Sequence, residues 1–238
     1  MKAIILCAGY ATRLYPLTLN TPKALLEIKR KPLLSYIVEK IPKKINEIVV
    51  VSNDKFYNNF VKWAQKYKGK IKVLNDGTTS NENRLGGIGD LYFAIKKENI
   101  RDDILVILGD NLFDFNLDDF INFFKKNKKT LVGVYEFPSE ELKKLGVVKV
   151  EGNKIISFEE KPEKPRSNLA STGVYIFTNN DLNVIENYMK TENNKDGPGY
   201  LIKYFYSIQD VHTFTFKGRW FDIGSLEMYE KVNKEWNN

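Results

Sequence analysis

The sequence predicts an α/β protein three layers deep, with a mostly parallel, mixed sheet between two layers of helix. In the first half, β-rich apolar runs alternate with segments of helical period. Those runs are nearly unbroken Val, Ile and Leu, as strands covered on both faces must be. The chain has 238 residues, 42% hydrophobic and 28% charged, enough for one large domain or two closely packed lobes.

The first expected strand is 3–7. A helix follows over 33–41, where Leu33, Leu34, Ile37, Val38 and Ile41 recur on one face, Pro32 suits the first turn and Pro42 ends it. Strand 47–51, helix 55–67, strand 70–74, helix 87–97 and strand 104–108 continue the alternation. From Thr130 the strands shorten, at 131–136, 147–150, 155–159 and 173–177, before helical stretches and a last run at 213–216. A second lobe is expected to begin near Asn111, making residues 1–238 one domain of two lobes, 1–110 and 111–238. No Ser/Gly/Pro-rich linker separates them, and no internal repeat appears. In such a sheet ligands gather beyond the carboxyl ends of the strands, which directs attention to the loops after Cys7, Leu74 and Leu108. The polar, Gly-bearing segment 75–87 is either a ligand loop or a mobile connection.

Charge and composition narrow the function classes. Lys and Arg number 37 against 30 Asp and Glu, a formal net charge of +7. The basic residues are scattered singly or in pairs such as Lys43 with Lys44 and Lys96 with Lys97, with no basic stripe interleaved with aromatics. An anionic small molecule is therefore the expected partner, and nucleic acid is not. The longest apolar runs, such as 48–51 and 104–108, fall far short of the roughly 20 residues that span a bilayer, so no membrane is expected. The opening MKAIILC mimics a secretory leader, but its apolar stretch is too short and reads as a strand. A single Cys permits neither an intrachain disulfide nor a multi-Cys metal site, and the cytoplasm is the expected compartment.

Four segments could carry chemistry. In residues 8–28, AGYATRLYPLTLNTPKALLEI, the small residues Ala8, Gly9 and Ala11 let the backbone bend and bring its N–H groups near a phosphate. Arg13 and Lys23 add a fork-shaped cation and a point cation. A plain strand-to-helix turn with surface charges fits the same residues. Neither GxGxxG nor GK[ST] occurs here, so this is no dinucleotide fingerprint and no Walker loop. In LGDN, Asp110 follows the most hydrophobic strand, where it could ligate Mg²⁺, an ion that takes one or two carboxylates plus substrate phosphates. An Asx turn ending the strand is the alternative. Residues 157–177 place Glu160 and Lys161 just before Pro162, and GRWFDIGS, 218–225, sets Asp222 among aromatics at the mouth of the last helix.

Taken in order, GYATRLYPLTLNTPKALLEI, GDN, LGVV, EEKP, TGVY and WFDIG make the chain resemble the sugar-1-phosphate nucleotidyltransferases. That group includes glucose-1-phosphate thymidylyltransferases and shorter uridylyl and guanylyl relatives, and the resemblance runs over nearly the whole chain. It implies a Rossmann-like three-layer α/β/α fold of the nucleotide-diphospho-sugar transferase type with a smaller sugar-binding lobe. It also implies Mg²⁺ as cofactor, and a nucleoside triphosphate and a sugar-1-phosphate as partners. The implied nucleotide surface comprises Ala8, Gly9, Tyr10, Ala11, Thr12, Arg13, Lys23, Asn75, Gly87 and Asp110, with the Gly87 N–H at the base. Asn111, Gly146, Glu160, Lys161 and Thr172 are implied to line the sugar phosphate, with Lys161 on its phosphate and Glu160 on sugar hydroxyls. Asp110 and Asp222 match the metal-binding aspartates, and Arg13, Lys23 and Lys161 the catalytic cations.

Two departures stand out. Ala11 replaces a family glycine, so the backbone there is expected to avoid a Gly-only conformation. NDGTTSNENRLGGIGD replaces the Gln-containing base segment of the long thymidylyltransferases, which leaves the base open, with dTTP or UTP and glucose-1-phosphate as first expectation. The C-terminal extension of those longer enzymes is not expected here, so an oligomer is possible but theirs is not carried over.

A sugar phosphate is already a competent nucleophile, so no His base is needed, and the single His, His212, reads as structural in the strand-like VHTFTF. Alternatives are a cytidylyltransferase for a non-sugar phosphate, a non-catalytic nucleotide-sugar-binding regulator, and a metal-dependent glycosyltransferase. EEKP followed by TGVY favours a sugar pocket. Arg13, Lys23, Asp110, Lys161 and Asp222 together exceed what binding alone requires. A glycosyltransferase would consume nucleotide sugars and make no pyrophosphate.

Overall fold

The computed structural model describes residues 1–45, 47–138 and 141–236. β1 (Lys2–Leu6) leads through two 3-10 turns, Thr12–Leu14 and Lys23–Leu25, into a hairpin of β2 (Glu27–Ile28) and β3 (Lys31–Pro32). Then come α1 (Leu33–Lys40), β4 (Ile48–Ser52), α2 (Tyr57–Ala64), β5 (Ile71–Asn75), α3 (Gly87–Lys97) and β6 (Ile104–Leu108). The second half runs β7 (Asn111–Phe113), α4 (Leu117–Asn127), β8 (Leu131–Glu136), β9 (Gly146–Glu151), β10 (Lys154–Glu160) and β11 (Leu169–Phe177). It continues with α5 (Asp181–Met189), α6 (Pro198–Ile208), β12 (His212–Thr215), β13 (Trp220–Asp222) and α7 (Leu226–Glu235).

The expected helix 55–67 is an α-helix only over Tyr57–Ala64, because the Asn53 side chain accepts from Phe56 N at 3.0 Å and starts the segment as a 3-10 turn. α4 was not among the expected elements. Asn116 caps it, accepting from Asp118 N at 2.7 Å, and it buries Leu117, Phe120, Ile121 and Phe124 at helical spacing. β11 is longer than the expected 173–177, because its pairing with β8 shifts register between Ser171 and Tyr175, around the left-handed Gly173.

Among the described residues, nine strands form one mixed sheet in the order β5-β4-β1-β6-β11-β8-β12-β10-β9. The first four are parallel, with Leu6 opposite both Val51 and Leu108. β11 runs antiparallel to β6 and β8, and its start also meets β9, Ala170 opposite Val147, so the second half of the sheet curls back on itself. One face buries Leu34, Ile37, Phe60, Phe120 and Phe216 under α1, α2 and α4. The other buries Leu91, Ile95, Ile185, Leu201 and Phe205 under α3, α5 and α6. A third apolar cluster, with Leu14, Ile28, Tyr36, Val232 and Trp236, joins α7 to the hairpin. There Tyr229 OH donates to Glu27 O at 2.9 Å, and Lys29 N donates to Asn233 Oδ1 at 3.1 Å. Among the described residues, no helix is long and apolar enough to cross a membrane.

Candidate active site

β1 and β6 pair along their whole length, so the segments that follow them leave the sheet side by side. Gly109 N donates to Leu6 O at 2.9 Å, and a Cβ at Gly109 would lie 2.3 Å from Cys7 Sγ; only a glycine permits this approach. The next residue, Asp110, is thereby set beside the 8–25 segment. Its Oδ2 accepts from Lys23 Nζ at 3.0 Å and its Oδ1 from Asn111 Nδ2 at 3.1 Å. Asn111 is held in turn, its Oδ1 accepting from Trp220 Nε1 at 2.9 Å. β13 runs antiparallel to β7 with Asp222 opposite Asn111, and Ile223 N donates to Asp110 O at 3.1 Å. Two aspartates far apart in the chain thus share one strand end.

Burial first, and then the negative charge of Asp110, push the Asp222 carboxyl up to about 6, while Lys23, Arg13 and Lys161 pull it back down. All five charged side chains singled out in the sequence therefore act within one electrostatic neighbourhood. Arg13 and Lys161 are exposed there. Among the described residues no cluster of three or more His, Cys, Asp and Glu exists, and Asp110 and Asp222 are the two carboxylates brought together at this strand end. Such a pair fits Mg²⁺, which fills its remaining positions with water and phosphate oxygens.

The residues of the 8–13 turn differ in exposure. Ala8 is buried, while Gly9 and Thr12 are exposed with Arg13. Ala11, at φ 47°, ψ 43°, takes the left-handed conformation that favours glycine but that an alanine can still adopt. Two bonds to its carbonyl hold it, from Leu14 N at 3.0 Å and Thr18 Oγ1 at 2.8 Å. Tyr10 turns inward, 4% exposed, with its hydroxyl 3.3 Å from Thr78 Oγ1.

Two residues of the expected nucleotide surface, Gly87 and Asn75, bound the 75–87 segment. The Gly87 N–H donates to Asp196 O at 2.8 Å and Ile88 N to Lys195 O at 3.0 Å, so carbonyls of 195–196 already satisfy the free N–H groups that open α3. Asn75 spends its side chain on the loop itself, donating to Asp54 Oδ1 at 2.7 Å and accepting from Gly77 N at 2.8 Å. The sequence reading missed an acidic pair here. Asp76 Oδ1 accepts from Thr78 N at 2.7 Å and Thr78 Oγ1 at 2.8 Å, while Asp76 Oδ2 and Asp90 Oδ1 are buried without other partners. Burial, then Asp76, then Asp196 push the Asp90 carboxyl up to about 8, so the pair keeps a proton between them. The only signal in the sequence was an Asp in the otherwise apolar first turn of a helix.

On the sugar-phosphate side, Gly146 and Glu160 lie opposite each other on β9 and β10. Burial raises the Glu160 carboxyl, and Lys161 opposes the shift. Lys161 follows at φ 49°, a left-handed residue before a proline, with its N–H on Leu145 O at 2.9 Å. Two expected residues are enclosed. Thr172 is 0% exposed and its hydroxyl donates to Gly133 O at 2.9 Å. Asn111, 3% exposed, donates to Asp110 Oδ1 and Leu108 O and accepts from Trp220, an arrangement that orients Asp110. His212 lies in β12, its pKa lowered by burial.

A family profile described as nucleotidyl transferase matches residues 2–238. A Sulfolobus acidocaldarius protein, provisionally named a mannose-1-phosphate guanyltransferase, is 31% identical over 99% of this chain and 63% of its own length. The Methanocaldococcus jannaschii bifunctional protein GlmU is 33% identical over 94% of this chain and 51% of its own. The chain thus spans between half and two thirds of these curated relatives. Among solved structures, a Bacillus anthracis protein provisionally named a glucose-1-phosphate thymidylyltransferase, in complex with sucrose, superposes with a TM-score of 0.85 at 25% identity, covering 100% of this chain and 97% of that one. A UDP-glucose pyrophosphorylase shares the fold at a TM-score of 0.80 and 22% identity, over 98% of this chain and 97% of that one.

Proposed function

Because the chain belongs to the nucleotidyl transferase family, we propose that it transfers a nucleotidyl group from a nucleoside triphosphate to a sugar-1-phosphate, giving an NDP-sugar and pyrophosphate. The observation that carries this reading is the convergence of Arg13, Lys23, Asp110, Lys161 and Asp222 at the ends of β6 and β13. In this reading residues 1–110 form the nucleotide lobe and 111–238 the sugar-phosphate lobe.

A sugar-phosphate oxygen attacks the α-phosphorus in line. The bond to the β-phosphate oxygen breaks, and pyrophosphate leaves with the electron pair. Both reactants are anions, so the task is alignment and neutralisation rather than proton removal. Arg13 and Lys23 bind the triphosphate tail and take up charge on the leaving group. Lys161 steers the incoming phosphate, and Glu160 orients the sugar hydroxyls. Asp110 and Asp222 would hold Mg²⁺, which supplies Lewis-acid neutralisation at the α-phosphate. Asn111 and Trp220 keep Asp110 in place for that task.

For the substrates, dTTP or UTP with glucose-1-phosphate is the first reading, supported by likeness to the B. anthracis protein. GTP with mannose-1-phosphate is the second, favoured by the name of the S. acidocaldarius relative. A matrix of nucleoside triphosphates against sugar-1-phosphates with Mg²⁺, read by pyrophosphate release, decides between them. In the active pair, Asp110→Asn is expected to lower turnover by at least about 10²-fold with the circular dichroism spectrum unchanged. Silence across the whole matrix, or a parent rate in Asp110→Asn, would overturn the reading.

A further inference from the structure

α6 opens with Gly197, Pro198 and Gly199. Pro198 suits that position, but Gly199 in the first turn is a poor helix former, roughly 1 kcal/mol worse than Ala. The space around it shows what the missing side chain makes room for. A Cβ on Gly199 would fall 2.1 Å from Glu160 Oε2 and within 3.0 Å of the Phe158 ring. Across the gap, a Cβ on Gly146 would fall 3.2 Å from the same Oε2 and 2.7 Å from Phe158 Cζ. The Glu160 carboxylate is therefore seated between two glycines, one on β9 and one at the start of α6, over a ring that is 2% exposed. The Phe158 ring, packed in the same core cluster as Leu201 and Phe205, needs to give by only a few tenths of an ångström, so the large overlap of any Cβ at 199 is with the carboxylate. Gly197, two residues earlier, is different: a Cβ there would stay 4.0 Å from Glu160 Oε1, an ordinary contact.

We infer that Gly199 is a positioning residue for the sugar side of the reaction: its bare α-carbon lets the Glu160 carboxylate lie against α6, in the orientation that addresses the sugar hydroxyls. The inference rests on the proposed transferase reading, in which Glu160 meets the sugar. A methyl group at 199 pushes the carboxylate away from α6 and toward the space the sugar would occupy. The nucleotide side, carried by Arg13, Lys23 and Asp110, is untouched. The same geometry specifies its own remedy. Asp at position 160 is one methylene shorter and draws the carboxylate back out of reach of the new methyl.

The test uses the full chain with the nucleotide and sugar-1-phosphate found active in the matrix, and compares parent, Gly199→Ala, Gly197→Ala, Glu160→Asp and the Gly199→Ala/Glu160→Asp double variant. Gly199→Ala is expected to raise KM for the sugar-1-phosphate roughly 10-fold to 100-fold while KM for the nucleotide stays within about twofold. Gly197→Ala is expected to match the parent. In the Glu160→Asp background, Gly199→Ala is expected to cost no more than about twofold, the non-additivity of groups in direct contact. Equal effects of the two glycine variants, a loss shared by both substrates, or full additivity in the double variant would overturn the inference. If Gly199→Ala fails to fold, recovery of folding in the double variant supports the seat and persistent failure sinks it. An inactive parent would instead count against the transferase reading.

Discussion

At the scale of single residues, the site depends on how one carboxylate is held. Asp110 receives a proton donor on each oxygen, and the second of these, Asn111, is fixed by the Trp220 indole. Trp220→Phe keeps the ring volume near β7 but strands the buried Asn111 Oδ1. It is expected to cost about 1–3 kcal/mol of stability by denaturant titration. It should also weaken Mg²⁺ dependence, seen as a higher Mg²⁺ concentration for half-maximal pyrophosphate release. An unchanged midpoint in both measurements would leave Trp220 without an orienting role. The charged residues of this network were legible in the sequence because charge and motif spacing mark them. The orienting role of Asn111 was not, since an amide looks the same in sequence whether it faces a ligand or a neighbouring carboxylate. The same holds for Thr172 and Gly87: a hydroxyl or an N–H announces a capacity, and only the fold shows its bonds to Gly133 O and Asp196 O.

At the scale of elements, the exit of β5 is tied to the start of α3 by the Asp76 and Asp90 carboxyls. The folded protein keeps a proton on this pair that the unfolded chain releases. The Asp90 carboxyl is raised from an ordinary 3.8 to about 8, so native binding exceeds unfolded binding between those values. Stability therefore falls as pH rises through that window, by at most ~1.4 kcal/mol per pH unit for one proton. Asp90→Asn keeps a donor toward Asp76 without the charge. It is expected to flatten this dependence and raise the melting temperature at pH ~8. A variant as pH-dependent as the parent would show that the pair carries no proton. The helices around this point were readable in sequence, and α3 falls on the expected 87–97. α4 was missed although Leu117, Phe120, Ile121 and Phe124 follow a helical period, because its run of apolar and charged residues adjoins no strand of the early rhythm.

At the scale of the whole molecule, the parallel half of the sheet was legible because its strands are continuous apolar runs separated by helices. The second half was not. β12 inserts between β8 and β10, and β9 meets β11, pairings between segments far apart in sequence that no local pattern encodes. Aromatic packing holds this region together: Phe216 stacks on Phe115 with ring centroids 3.8 Å apart and meets Phe120 and Phe214 as well. Phe216→Ala is expected to cost about 3–5 kcal/mol in chemical denaturation, and a loss under ~1 kcal/mol would place the weight of the core elsewhere. A last consequence follows from α7. Tyr229, Asn233 and Trp236 clamp Glu27, Lys29 and Tyr36, so the hairpin beside Lys23 leans on the final helix of the sequence. During translation the turn beside the hairpin leaves the ribosome long before its buttress, since Glu27 and Tyr229 lie 202 residues apart. An N-terminal fragment released mid-synthesis would carry every cation of that turn without the support that aims them.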